Sequence, residues 1–189
     1  VFLFKKAIAI GVNELATIEI LIVIFSISSS ILDAFAHTAE TTVGNATGSK
    51  NRLKLKRSIM YSSEIAMIFS VLISLSLYIF QEKIIFLITD IDVLRILLKN
   101  IWLLVVLTPI ISVFAFQLDG IFIGATLTKE MRDSMILSGV IFYLLLEFVG
   151  KESLNIENLY SCFLFFLFSR GVILSFYIKK VFNLTNLKT

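Results

Sequence analysis

Five stretches of this 189-residue chain are long and apolar enough to cross a lipid bilayer as helices, and no other feature restricts its possible folds so strongly. The hydrocarbon core of a bilayer is ~30 Å thick, so about 20 mostly apolar helical residues span it. The first run extends from about Leu15 through Glu40 and on to Ala46, and the second from about Ile59 to Phe80. The third runs from about Ile96 to Thr126, with Pro109 inside it as an expected kink. The fourth, about Ser134–Val149, is short, and the fifth covers about Leu159–Ile178. A transmembrane barrel would need strands of alternating polarity, which these runs lack. The expected fold is all-α: a polytopic helix bundle forming a single transmembrane domain.

Composition agrees. Apolar residues make up 58% of the chain and charged residues 16%, whereas soluble domains carry ~25% charge. A domain of this size still exposes roughly 30% of its chain surface, which leaves too little interior for so much apolar area. A soluble globule, a disordered chain and a secreted disulfide scaffold are all excluded, and the single Cys162 cannot form an intrachain disulfide. The opening VFLFKKAIAI reads as the end of a sixth apolar helix. With Val1 in the place of an initiator Met, it suggests a piece of a longer protein. Between the second and third runs, Ile84–Arg95 is too short and too charged to cross, and is expected to lie at the interface as an amphipathic helix.

Alternate loops carry unequal positive charge. Lys50, Arg52, Lys54, Lys56, Arg57, Lys129, Arg132, Lys179, Lys180 and Lys188 fall on one side. Lys5, Lys6, Lys83, Arg95, Lys99 and Lys151 fall on the other. The positive-inside rule places the richer side, with loop 50–57 and the C-terminus, in the cytoplasm of a cell inner membrane. The cluster at 50–57 reads as a topology signal in contact with lipid head groups rather than as a nucleic-acid patch. Trp102, Tyr78, Tyr160 and Tyr177 lie near span ends, where aromatic belts form.

An ionisable group at the centre of a span costs at least ~2.5–3.5 kcal/mol on insertion scales, so each one is a candidate for function. At 100° per residue, Glu19, Ser26, Asp33, His37, Glu40 and Gly44 share an arc of roughly 60° on the first span. Such a face is expected to line a wet cavity within the bundle. Asp33, His37 and Glu40 could satisfy one another at i, i+3 and i+4 spacing and only lock helix packing. Alternatively, they form a protonation or cation site, histidine being the side chain that commonly changes charge near neutral pH. Asp119 in the third span shares a face with Ser112 and Thr126, and Gly120 and Gly124 make a GxxxG pair suited to close helix approach. Asp119 lies ~10 Å inside its helix end and Arg170 ~12 Å inside the end of the fifth span. Their matching depth predicts a pair; the opposing possibility is an Arg170 that snorkels alone to the head groups.

Other chemistry finds no support. GNATGSK at 44–50 has one residue too few between its glycines for a phosphate loop and follows a helix. One His and one Cys on different spans supply neither zinc ligation nor a Cys/His catalytic pair, so no catalytic residue and no metal site is expected.

The stretches LDAFAHTAETTVGNATGSKNRLKLKRS, LDGIFIGATLTKEMRDSMILS and LFSRGVILSFY resemble segments of MATE (multidrug and toxic compound extrusion) transporters of the DinF-like branch. The likeness runs from about Gly11 to Lys180. It implies two six-helix lobes in the whole transporter, of which this chain would supply the C-terminal one. A small organic, cationic or amphipathic substrate would bind between the lobes, with H⁺ or Na⁺ as coupling ion and no cofactor. It also implies a cation-coupling role for Asp119 and, less directly, for Asp33, His37 and Glu40. The N-terminal lobe, or a second chain in its place, would then be the necessary partner besides the bilayer; nucleic acid is not expected. Alternatives are a non-transporting structural membrane fragment and a lipid-linked-precursor flippase of related fold, whose cavity would call for more intramembrane cations than Arg170 alone.

Overall fold

The structure is a computed structural model describing residues 2–152 and 155–185. Val1 and Lys188 lie outside the described residues, as does the side chain of Lys151. Every regular element is helical: α1 (Phe2–Ile10), α2 (Val12–Gly48), α3 (Arg52–Ile79), α4 (Gln81–Ile88), α5 (Asp92–Gly124), α6 (Thr128–Glu152) and α7 (Ile156–Asn183). α2, α3, α5, α6 and α7 are each long and apolar enough to span a membrane. The protein is an all-helical integral membrane protein with five candidate spans.

α1 is a nine-residue helix, broken from α2 at Gly11, whose backbone is fully extended, and is the separate apolar helix end read in VFLFKKAIAI. Two boundaries depart from the sequence expectation. The interfacial segment ends early: α4 covers Gln81–Ile88, and residues 92–95 already form the first turn of α5. There Arg95 lies 3.7 Å above the Phe86 ring and donates to the Thr89 carbonyl, so the charge of this segment is spent bracing the α4–α5 turn. α6 is not short but 25 residues long. Its charged first two turns hide the helix start from hydropathy, while Glu130 there accepts a hydrogen bond from Lys180 of α7 at 2.8 Å. Pro109 sits inside α5, which runs unbroken from Asp92 to Gly124.

α5 is the central helix. It packs against α2, α3, α6 and α7, and half of its most apolar 18-residue window is buried, against 17–33% for the other spans. Two core clusters flank its middle. Toward the N-terminal ends of α2, α5 and α7 the filling is bulky, with Ile18, Leu21, Leu98, Trp102, Leu159 and Tyr160. Trp102 and Tyr160 are therefore not belt residues: they are 2% and 1% exposed. Burial suits them because each polar tip has a partner, Trp102 Nε1 donating to Leu77 O at 2.9 Å and Tyr160 Oη pairing with Thr108 at 2.8 Å. Toward the C-terminal ends the filling is small, with Ala39, Val43 and Ala46 of α2 facing Ile121, Phe122 and Ala125.

That change in size lets α2 and α5 run side by side in the same direction and nearly touch. A Cβ on Gly120 would overlap the Ala36 carbonyl, and one on Gly124 the Glu40 carbonyl. The GxxxG pair thus seats the α2 backbone itself. α5 then closes with Thr126 N bonded to Ile123 O and Leu127 N to Phe122 O, which forces the β-branched Thr126 to φ 59°. α2 closes the same way over Ala46 and Thr47, with Lys50 at φ 49°.

Candidate functional site: a buried ion pair behind a polar helix face

Asp119 stands one residue before Gly120, at the level where α5 meets α2. On its other flank, Gly171 lets α7 approach α5 so closely that a Cβ there would sit 3.3 Å from Phe114 Cβ and 3.4 Å from Ala115 N. Arg170 is the residue just before Gly171, so this contact carries its guanidinium to Asp119. Nη2 of Arg170 and Oδ2 of Asp119 are 2.5 Å apart, and the side chains are only 16% and 11% exposed. The structure therefore pairs the two charges rather than leaving Arg170 to reach the head groups alone.

The pair is incompletely satisfied. Asp119 Oδ1 and Arg170 Nε are buried with no hydrogen-bond partner. Buried polar atoms are rarely left so, and each such atom calls for a physical explanation. Asp33 of α2 lies close enough to Asp119 for their charges to interact. Three helices, α2, α5 and α7, thus bring two carboxylates and one guanidinium into one region at membrane depth. With both carboxylates ionised the cluster carries one excess negative charge, and a bound proton or monovalent cation would neutralise it.

The other candidates of α2 lie outside this cluster. His37 Nδ1 is 3.2 Å from Glu40 Oε2, and their side chains are 78% and 38% exposed. Among the described residues Asp33 makes no ion pair with either. Glu19, Ser26 and His37 are exposed, while Leu32, Ala36, Ala39 and Val43 are buried. The polar face consequently does not line a cavity among these helices, as the sequence suggests, but forms an outer surface. The reason is that α2 has an apolar face to bury as well, and α3 and α5 take that one.

Two polar contacts escape a reading of the sequence alone. Gln117 Nε2 donates to Ser62 Oγ of α3 at 2.8 Å, and Lys180 reaches Glu130 across 50 residues of chain. An amide in an apolar run, as in FAFQLDG, signals the first; nothing local signals the second. Among the described residues no three His, Cys, Asp or Glu side chains converge as a metal site.

Comparison with known proteins gives the geometry a context. The MatE family profile matches residues 5–150. Over 141 residues the chain is 30% identical to DNA damage-inducible protein F of Escherichia coli (strain K12), an alignment that covers 72% of this chain and 30% of that protein. The chain thus spans about a third of that relative's length. No solved structure matches it. With its match extending over most of the described spans, this chain belongs to the MatE family, a family of membrane transporters and not of enzymes.

Proposed function

We propose that this chain is the C-terminal lobe of a cation-coupled efflux antiporter, and that Asp119, with Asp33 beside it and Arg170 paired to it, binds the coupling H⁺ or Na⁺. The observation that carries the reading is the Asp119–Arg170 pair with its buried, unpartnered Asp119 Oδ1, which the half-buried Asp33 of α2 neighbours behind the outward-turned polar face. Polar surface at membrane depth is costly against lipid. Glu19, Ser26 and His37 are better accommodated against water in a cavity shared with a second lobe, supplied by an N-terminal segment or by another chain. A small organic, cationic or amphipathic compound would occupy that cavity. Protonation or Na⁺ binding shifts the inward/outward equilibrium only through its differential affinity for the two states, and an excess carboxylate whose surroundings change between states provides one. Glu40 and His37 would tune the charge of the cavity wall. The family to which the chain belongs supports export as the direction of transport, and the Lys/Arg distribution supports a cytoplasmic 50–57 loop in a cell inner membrane.

The test uses a two-lobe transporter carrying this chain as its second half, in everted vesicles, with dye export normalised to inserted protein. Asp119→Asn should lower coupled export about 5- to 150-fold, the usual span of a coupling free energy. The double variant Asp119→Asn/Arg170→Gln, which leaves no orphan charge, should recover membrane abundance but not coupling. Export at the wild-type rate in either variant removes Asp119 from the coupling site.

A further inference from the structure

A groove of about 650 Å³ lies away from the ion pair, between the last turns of α2 and the first turns of α3. Its walls carry Thr38 and Thr42 of α2 and Lys54, Arg57, Tyr61 and Ile65 of α3. Lys54 and Arg57 make no ion pair among the described residues, whereas Lys6, Arg95, Lys99, Arg132, Arg170 and Lys180 each meet a carboxylate. The N-terminal end of α3 adds its own partial positive charge to these two cations.

The remainder of this α3 face defines the occupant. Lys54, Arg57, Tyr61, Ile65, Ile68 and Leu72 fall on one helix face by their 100° spacing. The apolar members of the row are open to the surroundings: Tyr61 61%, Ile65 47%, Ile68 58% and Leu72 49% exposed. One face therefore passes from two unpaired cations, through an amphipathic tyrosine, to bare aliphatic surface. The distance from Lys54 to Leu72 is ~27 Å at 1.5 Å per residue. A free anion would use only the first part of this face, and a neutral apolar molecule only the last. The acid on the adjoining face, Glu64, lies ~10 Å beyond Arg57 and holds an anion toward the α3 N-terminal end.

We infer that the groove is a built site for one anionic phospholipid, its phosphate held by Lys54 and Arg57 and an acyl chain laid along Tyr61, Ile65 and Ile68. The assignment is independent of the coupling role of Asp119. It requires more than the general attraction of basic loops to acidic head groups, because it names two side chains of a basic cluster and excludes their neighbours.

The experiment is native mass spectrometry of the chain released from nanodiscs, with phosphatidylglycerol and phosphatidylcholine offered in equal amounts. Wild type should retain one phosphatidylglycerol in preference to phosphatidylcholine. Lys54→Gln/Arg57→Gln should bind it about thirty-fold more weakly, as loss of two head-group contacts implies. Lys50→Gln/Lys56→Gln, which removes equal charge outside the groove, should bind as wild type does. Lys54→Arg/Arg57→Lys, which keeps both charges, should retain the lipid and guards against a folding artefact. Inorganic phosphate should not displace the lipid, and Tyr61→Ala/Ile65→Ser should weaken it. Equal loss in the two glutamine pairs, equal retention of the two lipids, or displacement by inorganic phosphate would each overturn the assignment, the last in favour of a small-anion site.

Discussion

Removing one member of the Asp119–Arg170 pair does not have the same consequence as removing the other. A carboxylate left alone at membrane depth can take up a proton and become neutral, whereas a guanidinium in a protein stays charged. Breaking a buried pair by losing one partner commonly costs about 3–5 kcal/mol, because the surviving charge is uncompensated. Asp119→Leu, which strands Arg170, should therefore destabilise the protein more than Arg170→Met, which strands only Asp119. The double variant should cost less than the sum of the two, by about 1–3 kcal/mol. Unfolding midpoints in detergent measure all three. Equal single effects that add without coupling would mean that the 2.5 Å contact contributes no pairwise stability. At this scale the sequence was informative, since the pairing is implied by two depths counted from two helix ends. The unpartnered Asp119 Oδ1 was not legible, because it depends on what α2 brings up against α5.

Helix packing turns on where glycine is required and where it is only tolerated. Gly120 has the backbone of Ala36 against it, so a methyl there must move a helix rather than a side chain. Gly139 in α6 has nothing beyond its own helix backbone and chain neighbours within 4 Å of the position a Cβ would take. Gly120→Ala should thus cost about 1–3 kcal/mol by overpacking. Gly139→Ala should gain about 0.5–1 kcal/mol by restricting the unfolded chain. The same denaturation assay should show opposite signs, and a neutral Gly120→Ala would mean that α2 and α5 are not held at backbone contact. Four helices were legible because their apolar runs reach the bilayer requirement, as Ile59–Phe80 does within α3, while the Ser134–Val149 run of α6 falls short of it. Their ends were less so. The first turns of α6 are charged, and only its pairing with Lys180 of α7, distant in sequence, explains why Glu130 is buried there.

For the molecule as a whole, the question is which exposed surfaces meet lipid and which meet water. Exposed α3 positions such as Leu72 and Leu75 are aliphatic, while the exposed C-terminal half of α2 offers Ser30, His37, Thr38 and Thr41. Periodicity showed that α2 has a polar side, but not that it turns outward; the outward turn is decided by which neighbours claim the apolar side. If the polar side borders an aqueous cavity, thiols placed there will ionise and react with a charged, membrane-impermeant reagent, and thiols on α3 will not. The background is Cys162→Ser, which removes a buried thiol. In membranes carrying a two-lobe transporter with this chain, Ser30→Cys and Ala34→Cys should be modified, and Leu72→Cys and Leu75→Cys should stay unmodified. The same reagent reads orientation: Ser49→Cys should react in everted vesicles and be protected in intact cells, with Lys83→Cys showing the reverse. Protection at both α2 positions would mean that protein or lipid seals this face, and the shared cavity would have to be abandoned. Reaction at α2 with the sidedness of Ser49 and Lys83 inverted would keep the cavity but turn the protein over in its membrane.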